Sequence, residues 1–176
     1  MNERAMRIEH IDRIRKAYIM WEDTAVASIY HEYSSLSGEF DWVIRPNWKN
    51  WQDCENRGWF AGIAGIDETL HKEEYIRRYD PYFVTQRTLS SVRPDLYELL
   101  ESIQLNYNDL FEVMCRTHGV CGNDDLYVSR TPDKIVNVHQ RIVPYDIPNF
   151  DTSNYGWLDR GYYTYEDDGW RKYYSD

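Results

Sequence analysis

The sequence predicts an α+β protein in which N-terminal helices pack on one face of a mostly antiparallel sheet. Apolar residues recur every three or four positions up to about residue 35, which is typical of amphipathic helices. After Pro94, short apolar runs are bounded by Asn, Asp, Gly and Pro, which is typical of strands joined by turns. The length of 176 residues suits one domain with a single core.

Two helices separated by a corner are predicted for the first segment. The apolar spacing in RAMRIEHIDRIRKAYIMW, residues 4–21, predicts the first helix. Asp23 and Thr24 are favourable N-cap residues, and the apolar residues after them predict a second helix to about Ser35. The first 35 residues should therefore form the helical layer.

The middle of the chain predicts a strand, a loop and a third helix. FDWVI, between Gly38 and Pro46, is rich in strand-forming residues. Residues 47–65 hold three Trp and three Gly without a clean period, which predicts an irregular loop. Residues 66–83 predict a helix that begins near Asp67 and ends before Pro81.

Several strands are predicted for the second half of the chain. The segments are DLFEVMCRTH, DDLYVSR and DKIVNVHQRIVPYD, together with YELLESIQL, which equally suits a short helix. In the tail, DDG is a suitable tight turn between two short strands. Residues 1–150 are expected to form the domain, and residues 151–176 an aromatic, acidic extension that packs on it or on a dimer mate.

Composition limits the partners and the compartment. Thirty acidic and twenty basic residues give a formal charge of −10, which repels nucleic acid and anionic membrane surfaces. No segment approaches the roughly 18 apolar residues of a membrane span, and MNERAMRIEH lacks the apolar core of a secretory signal. We therefore expect a cytoplasmic protein with no nucleic-acid or membrane partner, whose three cysteines are thiols.

A family resemblance is carried by AYIMWED, AVASIYHEY, GEFDWVI, the helical pattern from Gly65 to Tyr79, and TPDKIVNVHQRIVPYD. Together they resemble the NTF2-like superfamily, and within it the SnoaL-like and ketosteroid-isomerase-like members. The resemblance covers roughly residues 8–150. It implies a cone, in which a curved sheet surrounds a pocket roofed by the N-terminal helices, and it implies a homodimer. The histidine usual after the third helix in dehydratase members is replaced by TQRTLSSVRPD.

The resemblance implies a cofactor-independent lyase or isomerase that acts on a cyclic or aromatic small molecule. Asp23 would be the base, Tyr18 the proton or oxyanion donor, and His139 or His118 the second acid/base group, with Asp41 nearby on the first strand. A carboxyl group among aromatic rings would have a raised pKa and could exchange a proton near neutrality. The residues assigned to substrate binding are Trp21, Tyr30, Trp42, Trp59 and Arg141. In the alternative interpretation, Tyr18 packs in the core and Asp23 only caps a helix.

Two further patterns concern strand faces and metals. Asn137, His139 and Arg141 would lie on one face of a strand, either towards solvent or on the pocket wall. Cys115, His118 and Cys121 include ligand types that suit zinc. No fourth ligand stands nearby, so buried thiols are expected and no metal or other cofactor is predicted.

A second class of function is a non-catalytic binding protein. An acidic, Tyr-rich surface would engage a basic protein partner, as in an immunity or anti-defence inhibitor. The tail from Asp151 to Asp176 suits this alternative, and the direction in which the aromatic side chains point would separate the two classes.

Overall fold

An antiparallel sheet of five strands, in the order β4-β3-β2-β1-β5, is the main element of the fold. The computed structural model describes residues 11–34, 38–147, 161–166 and 169–174, with side chains for residues 14–33 and 38–147. The five strands are β1 (Ile11–Trp21), β2 (Thr24–Ser34), β3 (Glu39–Pro46), β4 (Tyr75–Arg77) and β5 (Leu126–Ser129). Near the C-terminus, β6 (Gly161–Glu166) and β7 (Gly169–Tyr174) pair in a separate antiparallel hairpin.

Short helices lie between the strands. They are α1 (Trp48–Asn56), α2 (Tyr82–Thr85), α3 (Leu96–Ser102) and α4 (Leu110–Arg116), with a single 3₁₀ turn at Glu68–Leu70. An antiparallel sheet together with these helices makes the protein α+β, as predicted. Among the described residues, no helix is long and apolar enough to cross a membrane.

The prediction of two N-terminal helices is wrong, because β1 and β2 form one long hairpin. Trp21 pairs with Thr24, so Glu22 and Asp23 form its turn. The helical spacing arose because the strand is buried on both faces: Ile19 and Met20 are adjacent in sequence, point to opposite faces and are both inaccessible to solvent. Two-sided burial removes the alternation that identifies a half-exposed strand.

Three other predicted segments have a different structure. The predicted loop after Pro46 contains α1, which begins where the Asn47 side chain accepts a hydrogen bond from the Asn50 amide at 3.0 Å. The predicted third helix is replaced by the 3₁₀ turn, β4 and α2. The predicted strand DLFEVMCRTH contains α4, and YELLESIQL takes its helical alternative as α3.

The later strand predictions have mixed outcomes. Strands are confirmed at FDWVI, at DDLYVSR and on both sides of the DDG sequence, although Asp167 and Asp168 lie outside the described residues. The strand predicted over DKIVNVHQRIVPYD is wrong, because residues 133–142 follow an irregular path. The polar face assigned to Asn137, His139 and Arg141 therefore does not exist as a strand face.

The main core lies between one face of the sheet and the helices. Ala17, Ile19 and Ile29 contribute from the sheet, while Trp51 from α1 and Phe111 from α4 pack against them. A smaller cluster joins α3 to α4 and consists of Leu89, Leu96, Leu100, Ile103 and Val113. The helices thus pack against the β1–β2 hairpin from one side.

Candidate functional site

A groove with a volume of about 370 Å³ lies at the closed end of the β1–β2 hairpin. This volume is in the range of pockets that bind small molecules or single side chains. The residues that line it are Glu22, Asp23, Arg57, Asp125, Tyr127, Ile135, Val136, Asn137, Val138 and His139. One wall is therefore the hairpin turn with the end of α1, and the other is the start of β5 with the loop that follows it.

The hairpin turn presents two adjacent carboxylates to the groove. Glu22 has a left-handed backbone with φ of 51°, a conformation that L-residues other than Asn and Asp seldom adopt. Its side chain is 60% exposed and that of Asp23 is 59% exposed. Both carboxylates are thus held at a fixed end of the sheet while remaining accessible to solvent.

Arg57, at the C-terminal end of α1, binds both carboxylates with its guanidinium group. Nη2 donates to Glu22 Oε2 at 2.8 Å, and Nη1 donates to Asp23 Oδ1 and to Thr24 Oγ1, each at 3.0 Å. The guanidinium carbon lies 5.1 Å from the centre of the Trp21 ring. The turn therefore forms a receptor for a planar cation, made of two carboxylates, one hydroxyl and one indole face.

These contacts keep Asp23 ionised. A hydrogen bond from the Thr24 hydroxyl, followed by one from Arg57, lowers the pKa of Asp23 below its usual value. The hydrogen bond with Asp23 correspondingly raises the pKa of Arg57. The expectation that Asp23 would be a desolvated carboxyl group with a raised pKa is therefore wrong.

The opposite wall of the groove is anchored by Tyr127 of β5. Its side chain is buried, and its hydroxyl donates to the backbone carbonyl of Glu22 at 2.5 Å. Burial raises the pKa of this phenol. Beyond it, His139 Nε2 lies 3.6 Å from Asp125 Oδ1 at the exposed rim, and the His139 amide donates to Asn137 Oδ1 at 3.0 Å.

The groove combines negative charge with aliphatic surface. Three carboxylates line it, those of Glu22, Asp23 and Asp125, against the single guanidinium of Arg57. Ile135, which is 64% exposed, and the neighbouring valines supply the apolar part. A long side chain with an apolar stem and a cationic head has complementary chemistry.

Two of the predicted site residues, Asp23 and His139, both line this groove. Tyr18 does not, because it lies on the sheet face opposite the helices, where Lys16 Nζ is 4.8 Å from its ring centre. Tyr30 lies on the same face, with Lys16 Nζ 5.5 Å from its ring. The predicted pairing of Tyr18 with Asp23 is therefore not part of the groove.

The other predicted residues are dispersed. Asp41 pairs with Glu32 in the β2–β3 register, and Trp42 is buried with its Nε1 donating to Asp80 at 3.0 Å. Trp59 is buried with its ring centre 4.8 Å from that of Trp51. Trp21 is the only predicted substrate-binding residue in contact with the groove wall, through Arg57, among the residues whose side chains are described. Arg141 is exposed and does not line the groove.

His118 lies near the end of α4 and does not line the groove. It is buried, its Nδ1 lies 3.0 Å from the Val128 carbonyl, and burial lowers its pKa. Neutral imidazole bonded to backbone suits a packing role better than proton transfer with solvent. His31, on β2, packs against Phe40 and Trp42, with ring centres 4.4 and 4.3 Å away, and does not line the groove.

The cysteines are free and buried, as expected from the sequence. Burial raises the pKa of Cys115 to about 12, and burial likewise raises that of Cys121, whose Sγ accepts a hydrogen bond from Arg87 at 3.1 Å. Within residues 14–33 and 38–147, no group of three or more His, Cys, Asp or Glu side chains is placed to hold a metal ion.

Sequence reasoning missed Glu22, Arg57, Asp125 and Tyr127. Glu22 is hidden by the helical interpretation of its segment, since a hairpin turn without Gly or Asn carries a weak signal. Arg57 and Tyr127 reach the groove only through tertiary packing, for which the sequence holds no local sign. No protein-family model, no curated protein and no solved structure matches the chain. Membership of the NTF2-like superfamily therefore stays a prediction.

Proposed function

We propose that the protein is a non-catalytic binding protein that engages a basic protein partner through the acidic groove. The observation that carries this proposal is the composition of the groove, in which three carboxylates outnumber one guanidinium beside aliphatic surface. The formal charge of −10 adds long-range attraction for a basic partner and speeds encounter.

The protonation state of Asp23 supports binding over catalysis. An ionised carboxylate attracts a cation at neutral pH, whereas a general base needs a pKa close to the working pH. Hydrogen bonds from Thr24 and Arg57 lower the pKa of Asp23, which moves it away from that range. Tyr18, the expected proton donor, does not line the groove.

The test measures binding of fluorescein-labelled nona-lysine and nona-arginine peptides by fluorescence anisotropy at near-physiological salt. The groove variant carries Glu22→Gln, Asp23→Asn and Asp125→Asn. We expect its affinity for either peptide to fall at least about tenfold, because it loses the carboxylates that would pair with the cations.

A matched control neutralises three carboxylates outside the groove, with Glu39→Gln, Glu73→Gln and Glu101→Gln. It has the same net charge as the groove variant, so it reports the loss of general attraction. We expect its affinity to stay within about threefold of the unmodified protein, as for rim charges. Equal losses in the two triple variants would overturn the proposal, since binding would then depend on charge alone.

A second candidate function is the cofactor-independent lyase or isomerase expected from the family resemblance. It is favoured by one observation, that Asp23 and His139 line the same groove. Its test is incubation with a panel of cyclic and aromatic hydroxyketones, followed by chromatography. Product formation that disappears in both Asp23→Asn and His139→Gln would support this candidate over binding alone.

A further inference from the structure

We propose that the groove takes the guanidinium group of an arginine side chain from the protein partner, which displaces Arg57 from Glu22 and Asp23. This inference rests on the proposed function and names the chemical group that the partner supplies. It also gives Arg57 a role, as an internal occupant that competes with the partner for the same carboxylates.

The receptor geometry is the first support for a guanidinium. The two terminal nitrogens of Arg57 reach different carboxylates, at 2.8 Å for Glu22 and 3.0 Å for Asp23. The Thr24 hydroxyl accepts a further hydrogen bond at 3.0 Å from the nitrogen that serves Asp23. The spacing of these acceptors therefore matches the planar fork of a guanidinium, which has donors on two sides.

The exposure of Arg57 makes the exchange feasible. Its side chain is 42% exposed, and those of its two partners are about 60% exposed. Ion pairs in such surroundings are screened by solvent and bind weakly, so an incoming group can replace them. The groove beside the pairs, about 370 Å³ in volume, provides space for the incoming side chain.

The remaining groove surface favours a side chain that belongs to a protein. Ile135, Val136 and Val138 offer aliphatic contacts for the methylene stem of an arginine. Asp125, on the far wall, offers a third carboxylate to a neighbouring basic residue of the same partner. A lysine would pair with one carboxylate at a time, because its ammonium group is a compact point charge.

The experiment removes the internal competitor. Arg57→Ala and Arg57→Gln are measured against the labelled nona-arginine and nona-lysine peptides, with thermal unfolding as the check that both variants are folded. Arg78→Ala is the matched control, since Arg78 is an exposed arginine paired with Glu39 at 2.9 Å, away from the groove, and its loss changes the net charge equally.

We expect both Arg57 variants to bind nona-arginine with at least about fivefold higher affinity than Arg78→Ala. Without Arg57, Glu22 and Asp23 are always free to bind the peptide. The preference for nona-arginine over nona-lysine should increase as well. Equal affinities in the Arg57 and Arg78 variants, or a gain of the same size for both peptides, would overturn the inference.

The two proposals fail in different ways. If the groove triple variant and its control bind alike, the binding function itself is wrong. If the groove triple variant alone loses affinity while the Arg57 variants match Arg78→Ala, the groove binds cations but Arg57 does not compete for them. Weaker binding by the Arg57 variants would make Arg57 part of the binding surface, which also contradicts displacement.

Discussion

Two arginines connect the β1–β2 hairpin to helices, and the carboxylates that they bind differ sharply in burial. Towards the open end, Arg15 donates to Asp109 Oδ2 at 2.5 Å and to His31 Nδ1 at 2.6 Å. At the closed end, Arg57 donates to Glu22 and Asp23. Each arginine thus connects the hairpin to a helix, α4 in the first case and α1 in the second.

Burial separates the two contacts. The Asp109 side chain is 7% exposed and also caps α4, while Phe111 lies under the guanidinium of Arg15 at 4.9 Å. Breaking this pair would leave Arg15, whose side chain is 31% exposed, without its carboxylate and would remove the cap of α4. The hydrogen bonds from Arg57 to Glu22 and Asp23 are exposed, so water can replace them readily. The same guanidinium–carboxylate chemistry therefore stabilises the fold where the carboxylate is buried and gives a replaceable contact where the carboxylates are exposed.

The largest expected effect comes from Asp109→Ala. The change removes the carboxylate that Arg15 binds and the N-cap of α4. Because Arg15 is partly exposed and so partly screened by water, the free energy of unfolding should fall by about 2 kcal/mol. Urea unfolding followed by tryptophan fluorescence measures it. Asp109→Asn is the control, because asparagine keeps the cap and removes the charge, and it should lose less.

The comparison breaks if Asp109→Ala destabilises the protein no more than Asp23→Ala does. In that case the interior pair would be as replaceable as the exposed one, and burial would not explain their different roles.

An intermediate effect on the free energy of unfolding is expected when the pH is lowered, because His31 becomes protonated. Arg15 can only donate, so His31 Nδ1 must accept and the ring must be neutral. Burial, and then repulsion by Arg15, lowers the pKa of His31 to about 4. Between about pH 6.5 and 4, His31 is protonated in the unfolded chain but not in the folded chain. Its contribution to the free energy of unfolding is therefore complete above about pH 6.5 and is lost as the pH falls towards 4.

The measurement is the free energy of unfolding as a function of pH, with His31→Phe as the control. Phenylalanine keeps a ring between Phe40 and Trp42 and cannot titrate. The pH slope of the unmodified protein should exceed that of His31→Phe by less than about 1.4 kcal/mol per pH unit in this window, because His31 binds one proton and is only partly buried. The groups facing His31 are Arg15, Asp109 and Asp80. Identical slopes in the two proteins would assign the acid sensitivity to other groups.

The smallest effect on stability is expected from Arg57→Ala. The guanidinium is exposed, so its loss should leave the unfolding midpoint in urea almost unchanged while peptide binding increases. A large drop in the midpoint would contradict the view that this end of the hairpin is a replaceable contact, and would place Arg57 among the residues that hold the fold.

The fold was predictable from the sequence where the local signals were strong. FDWVI and DDLYVSR were recognised as strands from their composition. The β1–β2 hairpin was missed because neighbours such as Ile19 and Met20 are both buried, on opposite faces. The sequence did hold a signal for α4, since Asp109 and Glu112 have the spacing of a capping box, and the Asp109 side chain accepts from the Glu112 amide at 3.4 Å.

The candidate site was predictable only in fragments. Asp23 and His139 were identified as candidates, but their roles were inferred from a helix and a strand that the chain does not form. The lowered pKa of Asp23 depends first on the neighbouring Thr24 and then on Arg57, 34 positions away in sequence. The wall formed by Tyr127 depends on a contact across 105 positions. Contacts between residues so far apart in sequence leave no periodic or compositional signal. The charges and pKa values at the groove could therefore be assigned only from the folded structure.

The left-handed backbone of Glu22 has a consequence for protein engineering. Glycine adopts this conformation without steric cost, so Glu22→Gly should relax the turn and favour the folded state. The same change deletes one of the two carboxylates that face Arg57. Selection for thermal stability alone would therefore favour loss of the Glu22 carboxylate from the groove. Selection for affinity would keep Glu22 and, with it, a less stable turn.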